Sequence, residues 1–170
     1  LWRMTPKRLE AEPIRDSLLA ISGQLDLTMF GPGTLDQNMN RRSVYFFIKR
    51  SQLVPMMMLF DWPEHLVSIG QRANTTVAPQ ALMFLNSPQG RRYASALAGR
   101  LQGETGSKIT QAYRLCYGRQ PTVEESQIAG AFLDQQSAKY QKAGHANPGA
   151  DAMTDLCQAM LASSELVYRP

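Results

Sequence analysis

Apolar residues recur at helical spacing along most of this chain, and the pattern is clearest in its last third. One predicted helix ends at Gly118, and its apolar face consists of Ile109, Ala112, Tyr113 and Cys116. Thr122 and Glu125 have the spacing of a capping box, in which the two residues satisfy free N–H groups at the start of a helix. This next helix carries Ile128, Phe132 and Leu133, and a final one carries Met153, Leu156, Cys157, Met160 and Leu161.

The start of the chain predicts a helix over residues 6–22. Thr5 precedes Pro6, an order typical of an N-cap followed by proline in the first turn. Apolar residues then recur at helical spacing at Ile14, Leu18 and Ile21. Pro13 would lie inside this helix, where proline removes a backbone hydrogen bond and crowds the preceding turn. We therefore expect a kink or a break near Glu12.

The middle of the chain contains its densest apolar material. Residues 23–40 are rich in turn formers and predict a loop, whose length indicates either mobility or a role in binding. Residues 43–50 are aromatic and β-branched and predict one extended segment. Residues 53–60 predict a short buried helix. We expect residues 44–60 together to be the core onto which the outer helices pack.

Two further helices are predicted between residues 75 and 103. Thr75 or Thr76 can cap the first, whose apolar residues are Ala81, Leu82, Phe84 and Leu85. Ser87 begins the second, whose apolar face consists of Tyr93, Ala94, Leu97 and Leu101. The predicted fold is all-α: an irregular bundle of about six to seven helices with one extended segment near residues 43–50, forming a single domain over residues 1–170.

The composition supports a folded domain. The chain has 170 residues, of which 44% are hydrophobic and 19% charged, so intrinsic disorder is not supported. Its 18 basic and 14 acidic residues give a net charge of +4. A balance this mild is typical of a solvated surface, and we predict no nucleic-acid partner. No apolar run approaches the roughly 20 residues that span a bilayer, so no membrane insertion is predicted.

Residue types that usually carry chemistry are few and dispersed. His65 and His145 lie far apart in sequence, so no metal site is predicted. Cys116 and Cys157 lack C-x-x-C spacing and are expected to be small buried core residues, with a bond between them left open. No nucleophile elbow, phosphate-binding glycine loop or zinc-protease motif occurs. The sequence therefore assigns no catalytic residue and no cofactor, and leaves open whether the protein is an enzyme.

One polar constellation is a candidate ligand site. It consists of Asp61, Arg72, Asn74, Thr75, Thr76 and Gln80. An acid, a guanidinium and several amide or hydroxyl groups near a helix N-terminus can bind an anion or a sugar. The alternative is structural: Asp61 pairs with Arg72 across a loop, while the two threonines and Gln80 cap and tie the next helix. We call this second arrangement, over residues 61–80, the polar latch, and it is the simpler interpretation.

Several ordered segments carry a resemblance that covers nearly the whole chain. They are PKRLEAEPIRDSLLAISGQLD, RRSVYFFIKR, LFDWP, RANTTVAPQALMFLNSP, AYRLCYGRQPTVEE and DLCQAMLASSELVY. In this order they resemble the C-terminal part of a planctomycete domain of unknown function, the PSD type. The resemblance implies an exported, multidomain parent that also contains a partner domain of unknown function and often a cytochrome c-like domain. The start at Leu1 without an initiator Met agrees with a piece of a longer protein.

The resemblance extends to individual polar positions. These are Arg8, Glu10, Glu12, Arg15, Asp16, Arg42, Tyr45, Asp61, Arg72, Thr75, Thr76, Gln80, Asn86, Arg119 and Glu165. Two residues depart from the family pattern: Pro13 replaces a helix-friendly residue, and Cys116 occupies a position that is usually small and apolar. The family has no assigned activity, so the resemblance implies no reaction.

Three hypotheses about function follow. The first is a non-catalytic helical module that mediates interaction or acts as a scaffold within an exported protein, with other domains of the parent or an envelope protein as partners. The second is a domain that binds or processes carbohydrate, such as an envelope polysaccharide, through Asp61, Arg72 and Gln80, with Glu64 as a further candidate. The third, docking to a haem domain, depends on the resemblance alone.

Overall fold

The computed structural model describes residues 6–49, 51–63 and 70–169. In chain order its elements are β1 (Lys7–Arg8), α1 (Ala11–Ser22), a 3-10 turn (Ser43–Tyr45), α2 (Pro55–Leu59), α3 (Ala78–Asn86), α4 (Pro88–Arg100), α5 (Thr105–Tyr117), α6 (Val123–Lys142), α7 (Pro148–Leu161), α8 (Ser164–Val167) and β2 (Tyr168–Arg169). The all-α prediction is confirmed. The described residues contain eight α-helices, and the one without a predicted counterpart is α8, a short helix of four residues.

Helix α7 lies at the centre of the bundle. It packs against both α4 and α6, and α1 packs against α4. The contact faces are those that the helical spacing predicted: Ala94 and Leu97 of α4 are fully buried, and Cys157 of α7 is buried with them. Both cysteines are free thiols in the core. No helix among the described residues is both long enough and apolar enough to cross a bilayer.

The predicted signals at helix ends are confirmed in the second half of the chain. Thr122 Oγ1 accepts a hydrogen bond from the Glu125 N–H at 3.2 Å, and the Glu125 carboxylate accepts one from the Thr122 N–H at 2.7 Å. Ser87 caps α4 by accepting from the Gly90 N–H at 2.9 Å. Gly118 ends α5 with a φ of 70°, a left-handed conformation that glycine adopts without steric cost.

The prediction for the first helix is wrong at its start. Helix α1 begins at Ala11, so Pro13 lies in its first turn, where a missing N–H costs nothing and no break is needed. The Thr5 cap lies outside the described residues. Residues 7–8 instead form an antiparallel pair with residues 168–169, which joins the two ends of the described chain. This strand pairing could not be predicted, because the partner strand is 160 residues away and produces no periodic pattern in the sequence around residues 7–8.

The central segment is only partly the core that its composition predicted. Phe46 and Val54 are buried, α2 buries Met56 and Met57, and Phe60 is buried directly after it. Val44 and Ile48, however, are 71% and 54% exposed. The extended segment is a 3-10 turn followed by isolated bridges, in which Phe46 pairs with Thr34. Apolar content alone did not distinguish residues that face the bundle from those that face solvent.

Helix α3 is capped at Val77 rather than at Thr75 or Thr76. Its buried residues are Gln80 and Phe84, while Leu82 and Leu85 are 51% and 46% exposed. The hydroxyl of Thr75 donates to Asp61, a residue of the preceding loop, and is therefore not available as a cap.

Candidate functional site

Asp61 is the centre of the polar cluster. It follows α2 with a φ of 60°, a left-handed conformation that aspartate tolerates better than most residues. Its Oδ2 accepts from Arg8 Nη2 at 2.5 Å and from the Thr75 N–H at 2.8 Å, and its Oδ1 accepts from Thr75 Oγ1 at 2.8 Å. Arg8 Nε also donates to Asn74 Oδ1 at 3.3 Å. The Arg8 and Asp61 side chains are only 4% and 14% exposed, so this ion pair is largely removed from solvent.

Arg72 has a different partner from the one predicted. It forms two hydrogen bonds with Glu12, at 2.8 and 2.9 Å, and a third with Glu10 at 2.9 Å. Trp62 Nε1 donates to the same Glu12 carboxylate at 3.0 Å. Burial by itself raises the pKa of Glu12, but the hydrogen bonds from Arg72 and Trp62 and the charge of Arg72 outweigh it, and the net shift is downward. The expected Asp61–Arg72 pair is thus replaced by Arg8–Asp61 and Glu12–Arg72.

Gln80 ties α3 to α2 and to the loop before it. Its amide nitrogen donates to the carbonyl oxygens of Leu59 at 3.0 Å and Thr75 at 3.1 Å, and its oxygen accepts from the Val77 N–H at 3.3 Å. The side chain is buried, with 5% of the residue exposed. Thr76 contacts the C-terminal strand instead, where its hydroxyl lies 2.9 Å from Tyr168 Oη. Both polar atoms of the Gln80 side chain, its amide nitrogen and its oxygen, are therefore hydrogen-bonded within the chain.

These contacts agree with the polar latch, although the partners differ from those expected. The cluster connects β1, α1, α2 and the start of α3, which are separated by up to 66 residues. It does not line one shared pocket. Asp61, Arg72 and Asn74 border an open cavity of about 630 Å³, whereas Thr76 and Gln80 border a separate cavity of about 190 Å³. We call these the larger and the smaller cavity.

The histidines give no metal site within the described part of the chain. His65 and Glu64 lie outside the described residues. His145 Nδ1 lies 2.8 Å from Asp151 Oδ2, and its ring centre lies 4.5 Å from that of Tyr140 of α6, with the two rings tilted by 54°. Among residues 6–49, 51–63 and 70–169, no group of three or more His, Cys, Asp or Glu side chains is arranged to hold a metal ion.

A second surface was missed by the sequence analysis. Large apolar side chains project into solvent from two neighbouring segments, and we call their surface the apolar loop surface. Its members are Leu27 (72% exposed), Met29 (68%), Phe30 (79%), Val44 (71%), Phe47 (57%) and Ile48 (54%). A group of large apolar side chains exposed on neighbouring segments is a candidate interaction site. The length of the predicted loop was the one signal that pointed here.

Tyr45 and backbone pairing hold the two segments of this surface side by side. The Phe30 N–H donates to Tyr45 Oη at 2.8 Å. The Thr34 N–H donates to the Tyr45 carbonyl at 2.9 Å, and the Phe47 N–H donates to the Thr34 carbonyl at 2.8 Å. The Arg41 guanidinium lies 3.5 Å from the centre of the Tyr45 ring. The segments that carry Phe30 and Phe47 are thereby held next to each other.

Two arginines hold this loop in place by hydrogen bonds to its backbone rather than by regular secondary structure. Arg41 donates to the carbonyls of Thr28, Phe30 and Pro32. Arg15, which projects from α1 and is 2% exposed, donates to the Met39 carbonyl, to the Arg41 carbonyl at 2.9 Å and to Ser43 Oγ at 3.3 Å. Its guanidinium also lies 4.7 Å from the centre of the Phe46 ring. The loop is therefore anchored from beneath by the helical bundle.

The remaining charged positions of the resemblance also form ion pairs. Arg119, which follows α5, holds Glu125 with bonds of 2.7 and 2.8 Å and Glu165 with bonds of 2.7 and 2.9 Å. Arg42 lies 3.4 Å from Asp16, whose carboxylate also accepts from Ser43. These ion pairs connect loops and the C-terminal end of the chain to the helical bundle. They therefore join charged residues that are distant in sequence.

Comparison with known proteins gives a single assignment. No curated protein and no solved structure gives a match. The family model PSD1, described as a protein of unknown function (DUF1553), matches residues 1–133, which include the Arg8–Asp61 pair, the Arg72–Glu12 pair and the apolar loop surface. The chain therefore belongs to the PSD1 (DUF1553) family.

Proposed function

We propose that this domain is a non-catalytic helical interaction module, and that the apolar loop surface docks against another domain of an exported, multidomain parent protein. The observation that carries the proposal is that six large apolar side chains are more than half exposed on a loop held in place by Arg15 and Arg41. Exposing such side chains in water is unfavourable, and covering them with a partner removes that cost. An anchored loop also loses little conformational entropy on binding.

Charge at the border of the surface indicates the character of the partner. Arg42, which lies 3.4 Å from Asp16 but keeps 61% of its side chain exposed, and the exposed Lys49 are close in sequence to Val44 and Ile48. The two acidic residues on the loop, Asp26 and Asp36, are engaged in local turns with Thr28 and Asn38. The partner surface is accordingly an apolar patch bordered by acidic side chains.

The carbohydrate alternative has less support. It needs Asp61, Arg72 and Gln80 to present free groups to one pocket. Asp61 and Arg72 each bind an oppositely charged side chain, and the Gln80 amide is buried with its hydrogen bonds made. A polysaccharide would have to displace these bonds before it gained its own, which lowers its affinity.

Hydrogen–deuterium exchange tests the interaction proposal. Exchange at residues 27–30 and 44–48 is compared between the 170-residue chain alone and the same residues within the full-length parent. We expect slower exchange at both segments in the parent, because a docked domain excludes water from them. Equal exchange in the two forms contradicts the proposal.

Matched variants separate docking from general hydrophobicity. Phe47→Ser together with Val44→Ser removes two exposed apolar side chains of the surface, and the expected result is that protection of residues 27–30 in the parent is lost. Val123→Ser together with Ile128→Ser is the control, because these α6 side chains are similarly exposed, at 78% and 63%, but lie outside the surface. Loss of protection in the control pair as well would show that the apolar loop surface has no special role.

A further inference from the structure

Phe30 has a backbone conformation that phenylalanine rarely adopts. Its φ is 65°, in the left-handed region where the Cβ of a bulky residue crowds the backbone. Among the residues that the structure describes, only Phe30 and Asp61 combine a positive φ with a side chain. Aspartate tolerates this region because its side chain is short and polar, whereas a phenylalanine there is strained.

Side chains from the neighbouring segment hold Phe30 in this conformation. The Phe30 N–H donates to Tyr45 Oη at 2.8 Å, and the Phe30 carbonyl oxygen accepts a hydrogen bond from Arg41. The Arg41 guanidinium in turn lies over the Tyr45 ring, 3.5 Å from its centre. Both backbone polar groups of Phe30 are thus fixed, which is the condition under which a strained residue persists in a folded protein. Strained residues of this kind cluster at binding sites.

The Phe30 side chain gains little from packing within the described chain. Phe30 is 79% exposed, the highest value among the large apolar residues that the structure describes. Gly31, which follows it, would meet nothing within 4 Å if it carried a Cβ, so the chain leaves open space beside Phe30. The stability of the fold does not explain a phenylalanine that is both strained and exposed. A partner that covers the ring does explain it.

We infer that Phe30 is the anchor of the apolar loop surface, and that the docking domain of the parent protein receives its ring in a concave apolar pocket. This inference rests on the proposed function and adds the shape of the partner. A projecting ring buries most of its area in a pocket, and a few aromatic side chains in desolvated pockets often dominate the binding free energy of an interface. Leu27 and Met29, which precede Phe30 and are 72% and 68% exposed, contact the rim of that pocket.

Phe30→Asn distinguishes a binding anchor from a structural residue. Asparagine tolerates the left-handed region and keeps the backbone N–H, so the isolated variant is expected to unfold at the same urea concentration as the wild type or at a higher one. In the full-length parent, the variant is expected to lose at least about tenfold of the wild-type protection against hydrogen exchange at residues 44–48. Val123→Asn is the control, because Val123 is 78% exposed on α6 and lies outside the surface. It should leave that protection unchanged.

Phe30→Trp tests the shape of the partner. A flat apolar surface accepts the larger indole ring, whereas a pocket that fits a phenyl ring excludes it, because overfilling a packed site is unfavourable. The expected result is that Phe30→Trp also loses protection at residues 44–48 in the parent, although the side chain remains large and aromatic. Wild-type protection in Phe30→Trp overturns the pocket.

The outcomes separate this inference from the proposed function. Equal exchange at residues 44–48 in the wild-type parent and the isolated wild-type chain contradicts both. Protection that is present in the wild-type parent and persists in Phe30→Asn overturns the inference alone, and so does an equal loss in Val123→Asn. A Phe30→Asn chain that unfolds at a lower urea concentration than the wild type also overturns it, because the ring then stabilises the fold itself.

Discussion

Arg72 and Glu12 meet through two hydrogen bonds, Nη1 to Oε2 at 2.8 Å and Nη2 to Oε1 at 2.9 Å. Because Trp62 donates to the same carboxylate, the first turn of α1 is joined to two loop segments at one point. Arg72 is 33% exposed and Glu12 25%, so the pair is only partly removed from solvent. This pair holds together parts of the chain that are 60 residues apart.

Arg72→Ala is expected to lower the free energy of unfolding by about 1 kcal/mol at pH 7, as is usual for a partly exposed ion pair. The pKa of Glu12 is lowered in the folded state. Its contribution is therefore fully present above the ordinary carboxyl pKa and is lost as the pH falls through the lowered value. Urea unfolding at pH 7 and in acid checks this, with Arg42→Ala as an exposed control. If Arg72→Ala lowers the free energy of unfolding by the same amount in acid as at pH 7, the prediction is contradicted.

Arg15→Met is expected to cost about 3 kcal/mol or more, because it leaves buried carbonyl groups without a donor. Arg15 is 2% exposed and supports Met39, Arg41 and Ser43. Burial lowers the pKa of Arg15, but the guanidinium remains charged across the ordinary pH range. Urea unfolding measures the stability, and exchange at residues 39–43 should rise more than exchange in α6. Uniform acceleration of exchange would indicate a general effect instead.

Gly90→Ala is expected to destabilise the protein even though alanine favours helices. A Cβ at Gly90 would lie 2.3 Å from the backbone oxygen of Phe84, so α3 and α4 would have to move apart. Gly130→Ala is the matched change within α6, where a Cβ meets nothing within 4 Å. That variant should be stabilised by up to about 1 kcal/mol. Thermal unfolding of both variants checks the prediction, which fails if the two changes have the same sign.

The Glu125 carboxyl is expected to titrate far below its usual range. Hydrogen bonds from Arg119 and from the Thr122 backbone lower its pKa to about 2. Its stabilising contribution is thus present above the ordinary carboxyl pKa and is lost as the pH falls from there towards 2. Carboxyl NMR measures the value directly. Arg119→Gln should move it towards about 4.3, and a wild-type Glu125 that already titrates there would refute the prediction.

The two cysteines are expected to be unreactive in the folded protein. Burial raises the pKa of both Cys116 and Cys157 to about 12, so the nucleophilic thiolate is scarce at pH 8. A thiol reagent such as dithionitrobenzoate should label neither cysteine in native buffer and both of them in urea. Labelling of one equivalent in native buffer, at a rate independent of unfolding, would contradict this. The result also checks that the two thiols are not bonded to each other.

The sequence alone predicted those helix ends that are determined by residues only a few positions away. Helix α4 begins after Ser87, α5 ends at Gly118 and α6 begins at the Thr122–Glu125 capping box, as predicted, since caps and turns act over only a few residues. The all-α class followed from the same periodicity. The sequence also singled out the polar residue types around Asp61 and Arg72, but it did not give their partners.

Only the tertiary structure determined which charged side chains form ion pairs with each other. Arg8, Glu10 and Glu12 lie far from Asp61 and Arg72 in sequence, and nothing in local spacing chooses among several possible ion pairs. Likewise, residues 44–48 are apolar enough for a core, yet most of them face solvent because Arg15 and Arg41 hold the loop in another orientation. Hydrophobic content determines that a segment can be buried, whereas the packing of distant elements determines whether it is.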